Sequence, residues 1–189
     1  MTRLDDISPQ LESVAMDWAR AEHPHALHLE RALHWLVQLE PDASAALRIA
    51  ALLHDIERAY PDPDAPYDGA LQWDQDVYIR YHETRCAQFL AAWLIEHRAD
   101  PTVARDAVEL VLYHEEGGWR DADLLQAADS LSFIDTMTPL ITGWITSGRT
   151  TREGALAKLQ HMYDRIRVAR ARELGRPLIE AAMAECSAA

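Results

Sequence analysis

Six residues place side chains able to do chemistry inside otherwise apolar helical stretches: His28, His54, Asp55, His82, His114 and Asp129. They stand in "HALHLERAL", "LLHDIER", "YIRYHETRCAQFL", "VELVLYHEEGG" and "LLQAADSLSF". An imidazole or carboxylate in an apolar setting is costly unless a partner compensates for it. On separate helices of a bundle, inward-facing groups of this kind can converge on one cavity, which is how helical metal sites are built. Four imidazoles and two carboxylates suit Fe, Mn or another borderline divalent metal. His54 and Asp55 are neighbours, and neighbours on a helix point about 100° apart. Both reach one centre only if it lies against the helix, with Asp55 placed to bridge two ions.

A single histidine on an apolar face is ordinarily a hydrogen-bonded core residue. His23, His25, His34, His97 and His161 are therefore read as loop, surface or helix-terminal residues, with His25, one turn before His28, able to trade places with it.

Helices must position the six. Ser8-Pro9 offers a cap and a first-turn proline for a helix to about Ala21. Leu29, Leu33, Leu36 and Val37 recur at helical spacing within residues 25–40, and Asp42 can cap a third helix running through His54-Asp55. Residues 60–76 hold three prolines, a glycine and five aspartates, which predicts a loop with a short turn near residues 69–73. A loop this long in a compact domain is often a lid or binding loop. Helices follow over 77–97 and, from the Asp100 cap, over 101–115 up to Gly117-Gly118. One from about 121 to 147 is expected to bend near Pro139 and Gly143. A capping box at Thr150–Glu153 opens a helix to about Leu174, with Gly175 as its stop and a short helix over 177–185. The expectation is a single all-α domain over residues 1–189, a helical bundle with its core at about 20–140 and helices at about 150–187 packed on it.

Composition agrees: 49% of residues are apolar, and Gly and Pro are sparse. A net charge of −13 argues against binding nucleic acid or an anionic membrane, since both need a basic surface. No stretch approaches the roughly 18–20 apolar residues that span a bilayer. Cys86 and Cys186 form no zinc pattern and fit a reducing compartment, so a cytoplasmic protein is expected.

The ordered series His, His-Asp, His, His, Asp resembles the HD superfamily of metal-dependent phosphohydrolases over roughly residues 20–140. His28 is similar to the opening histidine, His54-Asp55 to the motif that names the family, and "AADSL" at Asp129 to its closing aspartate. His82 and His114 resemble the extra ligands of the six-ligand, dinuclear subgroup. The fifteen-residue interval from His114 to Asp129 is close in layout to the HD-type diadenosine tetraphosphate hydrolases. The HD-GYP phosphodiesterases share the dimetal logic, but their GYP motif is absent.

The resemblance implies one metal held by His28, His54, Asp55 and Asp129, and a second held by His82 and His114 with Asp55 bridging. The ions expected are Fe or Mn, with Mg, Co, Ni or Zn as alternatives. It further implies hydrolysis of a nucleotide or other small phosphoester by a metal-activated water, with Asp55 at the centre of the chemistry. Arg58, where many relatives have "HDxxK", would contact the phosphate with a bidentate fork. Arg85 and Arg31 are weaker substrate-binding candidates, each read first as a structural ion-pair partner. Glu57 departs from the small residue usual at that point and puts an acid beside the site. Glu83, Glu115 and Glu116 flank two ligands as histidine acceptors, with at least two of the three expected on the surface. Trp73, Tyr78, Tyr81, Tyr113 and Trp119 are available to stack on a base, though core aromatics are commoner.

The same ligand series resembles mixed-valent diiron oxygenases such as myo-inositol oxygenase, in which an acidic residue precedes the first histidine, as Glu22 does here. A non-catalytic regulatory module is the third reading. The partners expected are a small phosphorylated substrate and, through the last helices, a second copy in a homodimer.

Overall fold

The computed structural model describes residues 8–65, 67 and 71–189, and the regular structure among these is all helical, with no strand. The helices are α1 Ser8–Glu22, α2 Ala26–Leu39, α3 Ala45–Leu53, α4 Asp76–Glu96, α5 Pro101–Leu112, α6 Arg120–Thr136, α7 Thr138–Thr146, α8 Arg152–Asp164 and α9 Ala169–Ala188. They form the expected all-α, single-domain bundle. Residues 1–7 lie outside the described part, as do residues 69 and 70 of the turn expected near 69–73, and Ser8, expected as a cap, is the first residue of α1.

The bundle is organised around α2 and α6, which pack along one another. The buried face of α2 is His28, Leu29, Ala32, Leu33 and Leu36, a stripe at helical spacing. α1 and α3 cover α2 on one side, and α5 joins α3 to α4. Leu47, Ile49, Leu52, Leu53, Leu90 and Leu125 form the main core there. α8 and α9 pack on α6, where Ile134, Ile141, Leu159 and Ile179 build a second apolar cluster. Among the described residues no helix is long and apolar enough to cross a membrane.

Several boundaries differ from the sequence reading in ways that matter for the site. The cap of α3 is Ser44, whose side chain accepts from Leu47 N–H, and not Asp42. The helix stops at Leu53, so His54 is its C-cap and Asp55 stands in the turn before a 3-10 segment, Ile56–Ala59. Likewise α5, capped by Asp100 as expected, ends at Leu112 and leaves His114 in a turn. His54 keeps helical backbone angles (φ −59°, ψ −33°), and the chain departs from the helix at Asp55 (φ −101°, ψ 16°).

The expected helix over 121–147 is two helices broken at Met137. The helix opening at the Thr151 cap stops at Asp164, ten residues before the predicted end. Gly175 is no terminus but sits inside α9. A Cβ there would lie 2.8 Å from Leu131 Cδ2, so this glycine permits α9 to approach α6 closely.

Candidate metal centre

The six residues that interrupt apolar faces meet at the junction of α2, α4, α6 and the turns after α3 and α5. His28, His54, His82 and His114 are each almost wholly buried. Each turns its Nδ1 edge to an acceptor of the protein. His54 Nδ1–H donates to Ala51 O at 3.1 Å and His114 Nδ1–H to Val111 O at 2.6 Å, in both cases three residues back. His82 Nδ1–H donates to Glu57 Oε1 at 3.1 Å. His28 Nδ1–H donates at 2.9 Å to Ser132 Oγ, whose own hydrogen goes to His28 O. A carbonyl or carboxylate only accepts, so these bonds place a proton on Nδ1 and turn Nε2 inward.

The four Nε2 atoms face inward. His28 Nε2 and His54 Nε2 are 3.2 Å apart, and each is 3.2 Å from Asp129 Oδ1. His82 Nε2 is 3.1 Å from Asp55 Oδ1. His82 and His114 Nε2 are each 3.9 Å from Glu115 Oε1. The rings link the two halves, His54 and His114 having centroids 5.5 Å apart and His82 and His114 5.1 Å.

Among the described residues three groups could hold a metal ion: His28, His54 and Asp129; His82, His114 and Glu115; and Asp55, His82 and Cys86. The last is set apart by Cys86, which lies 3.6 Å from the Nδ1 edge of His82. Glu115 is the donor that sequence reasoning placed only in a supporting role.

Two residues hold the turn that carries His114 and Glu115. Gln126 Nε2 donates to Glu115 O at 2.6 Å, and Glu115 N–H donates to Glu83 Oε1 at 3.2 Å. Glu83 is buried and Glu115 largely so, and of the three flanking glutamates only Glu116 is exposed. Burial pushes the Glu83 carboxyl up to about 7. The turn after α3 is held by His23, expected in a loop but in fact buried. Its Nε2–H donates to Asp55 O at 3.0 Å, and its Nδ1 accepts from His25 N–H at 3.1 Å.

Charge is organised by Arg165, just past α8 and unnoticed in the sequence. Its guanidinium pairs with Glu115 Oε2 and Asp129 Oδ2, and its Nε donates to Ser130 Oγ at 2.8 Å. By taking the outer carboxylate oxygens it leaves Asp129 Oδ1 and Glu115 Oε1 for the histidines. Burial opposes ionisation of Asp129, but Arg165 and His54 hold it well below the usual carboxylate range. Glu115 is likewise opposed by burial and brought down to about 2, chiefly by Arg165. Asp55, also penalised by burial, is kept low by the His82 hydrogen bond and Arg58. Burial brings His114 down to about 4, which keeps it a neutral donor.

Glu57 and the arginines find their places too. Glu57 is buried and orients His82 while pairing with Arg58 Nη1 at 3.0 Å, so its acid supports a ligand. Arg58 lines the cavity and is steadied by Tyr78, whose hydroxyl accepts from Nη2 at 2.6 Å. Arg85 points away from the cavity, to Glu57, Asp62 and Tyr60 O. Arg31 pairs with Asp135 at 2.6 Å. Neither Arg85 nor Arg31 lines the cavity over the histidines.

That cavity has a volume of about 370 Å³. Its floor is His28, Asp55, His82 and Asp129, and α7 and α8 supply much of its wall. Of the candidate aromatics, Trp73 and Tyr78 line it, whereas Tyr113 and Trp119 pair with each other at 5.6 Å. Glu22 is exposed at the end of α1. Comparisons with protein-family models, with curated proteins and with solved structures returned no match.

Proposed function

We propose that this protein is a metal-dependent phosphohydrolase of the HD type, acting on a small phosphoester. One observation carries the reading: four buried histidines give their Nδ1 edges to acceptors of the protein and turn Nε2 toward each other and toward carboxylates. Lone pairs at 3.2 Å repel unless a cation or a shared proton lies between them, and outer-sphere acceptors on Nδ1 are the usual companions of metal-bound histidine. The donor set therefore fits a borderline divalent ion such as Fe or Mn.

His28, His54 and Asp129 would hold one ion and His82, His114 and Glu115 a second, with Asp55 beside His82 placed to join them. Ions held there supply Lewis acidity and a hydroxide nucleophile near neutral pH. The chain's own residues do the rest. Arg58 offers a cationic fork to the phosphoryl oxygens, where charge gathers as the leaving group departs. Tyr78 and Glu57 hold that fork in position at no expense of reorganisation during the reaction. His23 secures the backbone of Asp55, and Arg165 orients the two carboxylates opposite. The oxygenase reading uses the same donors, but its upstream acid, Glu22, does not reach the cavity.

The test combines metal analysis with turnover. Protein purified without oxygen and loaded with Fe or Mn is expected to bind about two ions per chain and to release phosphate from members of a phosphoester panel. Asp55→Ala should abolish release. Phosphate release that survives Asp55→Ala, or a metal content near zero in the unsubstituted protein, refutes the proposal. A mixed-valent EPR signal with substrate-dependent oxygen uptake transfers the site to the oxygenase class.

A further inference from the structure

Of the 18 basic residues in the chain only Lys158 is a lysine, and it projects from α8 into the cavity above the histidines. Its ammonium lies 5.2 Å from the centroid of the Trp73 ring and 5.0 Å from that of Phe133. Among the described residues it makes no ion pair or hydrogen bond. The nearest carboxylates, Glu115 and Asp129, have their outer oxygens taken by Arg165. An enclosed ammonium without a counter-ion is costly, and aromatic faces offset only part of that cost. Lys158 thus joins Arg58, from the segment after α3, and Arg149, which lies over Trp144, among the cations of the cavity wall.

One side of the wall is apolar. Phe133, Met137, Leu140 and Trp144 come from the α6–α7 junction, with Trp73 facing in from the long loop. At about 370 Å³ the cavity is at the small end for ligand sites, too small to enclose a dinucleotide.

We propose that Lys158 and Arg58 form an anion subsite for a terminal phosphoryl group whose ester or phosphonate carries a flat, apolar body no larger than a nucleoside, seated on Phe133, Trp144 and Trp73. This rests on the phosphohydrolase reading and names its substrate class. Lys158 lies beyond the stretch that resembles HD proteins, so the assignment comes from this chain's own C-terminal helices.

Because the chain has one lysine, amine labelling followed by peptide mass mapping reports on this cavity alone apart from the N-terminus. Burial brings the ammonium down to about 8, which makes it reactive at mildly alkaline pH. Phenylphosphonate is the probe, since its P–C bond withstands hydrolysis and binding is read without turnover. It is expected to protect Lys158 at a concentration about tenfold or more below that needed of methylphosphonate or inorganic phosphate, while benzyl alcohol protects little. Lys158→Met should weaken phenylphosphonate binding, followed by tryptophan fluorescence, about tenfold, and Lys158→Arg should restore most of it, with the metal content of both equal to that of the unsubstituted protein. Labelling that none of the anions slows overturns the subsite. Equal protection by methylphosphonate overturns the apolar body, and equal protection by benzyl alcohol overturns the anion. Protection by phenylphosphonate without phosphate release from phenyl phosphate keeps the subsite and sinks the hydrolase; release without protection does the reverse.

Discussion

Replacing Arg165 by methionine removes one charge from the centre while keeping the apolar stem of the side chain. In the native arrangement the guanidinium, 7% exposed, neutralises Asp129 and Glu115 together and donates to Ser130. Without it two buried carboxylates face each other uncompensated, and breaking a buried pair by removing one partner costs about 3–5 kcal/mol. For a chain of this size each kcal/mol moves the melting temperature by roughly 2–4 °C, so metal-free Arg165→Met is expected to melt roughly 6–20 °C lower.

The pH dependence has a definite sign. Asp129 is held well below its ordinary 3.8, and Glu115 is brought from 4.5 to about 2. Groups lowered in this way contribute stability above their unfolded values and lose it as pH falls through the folded ones. The gap between metal-free wild type and variant should therefore be widest at neutral pH and close between about 4.5 and 2. A divalent ion supplies the missing positive charge, so saturating Mn should raise the melting temperature of the variant more than that of the wild type. Calorimetry with chelator and with Mn, at pH 7 and pH 4, measures all of this. A loss of the same size in all four conditions would refute the idea that Arg165 acts as the counter-charge of a metal centre.

Three further substitutions probe other parts of the argument. Glu57→Ala strips the acceptor from His82 and should weaken metal binding by about tenfold to a hundredfold in a competition titration; an unchanged affinity removes Glu57 from the centre. Gly175→Ala drives a methyl to 2.8 Å from Leu131 and should cost about 1–3 kcal/mol in denaturant unfolding, with no loss expected if α9 can move aside freely. Arg31→Met breaks the pair with Asp135 and should lower stability slightly while leaving KM untouched; a raised KM would return Arg31 to the substrate.

Much of the site was legible because its residues break a pattern. His28 sits on the apolar face of a periodic helix, and His82 and Asp129 interrupt apolar stretches, so a polar group there stands out at once. Arg31 and Arg85 were visible for the same reason, yet a long flexible side chain has several partners within reach, and only packing selects Asp135 for one and Glu57 with Asp62 for the other. Glu57 read as a misfit since its acceptor role depends on His82, twenty-five residues away. His23 lay in a polar loop segment whose burial follows from α1 and the Asp55 turn closing over it. Arg165 was hidden among the five arginines of residues 165–176, where nothing local distinguishes the one turned inward. The lone lysine was a readable signal, as an unusual choice in a chain that otherwise uses arginine.

The sequence by itself determined the helical class, the core face of α2 and the set of residues that had to find polar partners in an apolar interior. Periodicity and composition are local properties, and burial of an uncompensated histidine is unfavourable in any fold. Which ring nitrogen faces inward, where α3 and α5 stop, and which carboxylate meets which imidazole were decided by tertiary structure. These outcomes depend on bonds between residues far apart in the chain, such as His28 with Ser132 and Arg165 with Asp129. The cavity wall that selects a ligand belongs wholly to that second category, because α7 and α8 acquire their role only by packing over histidines that other helices supply.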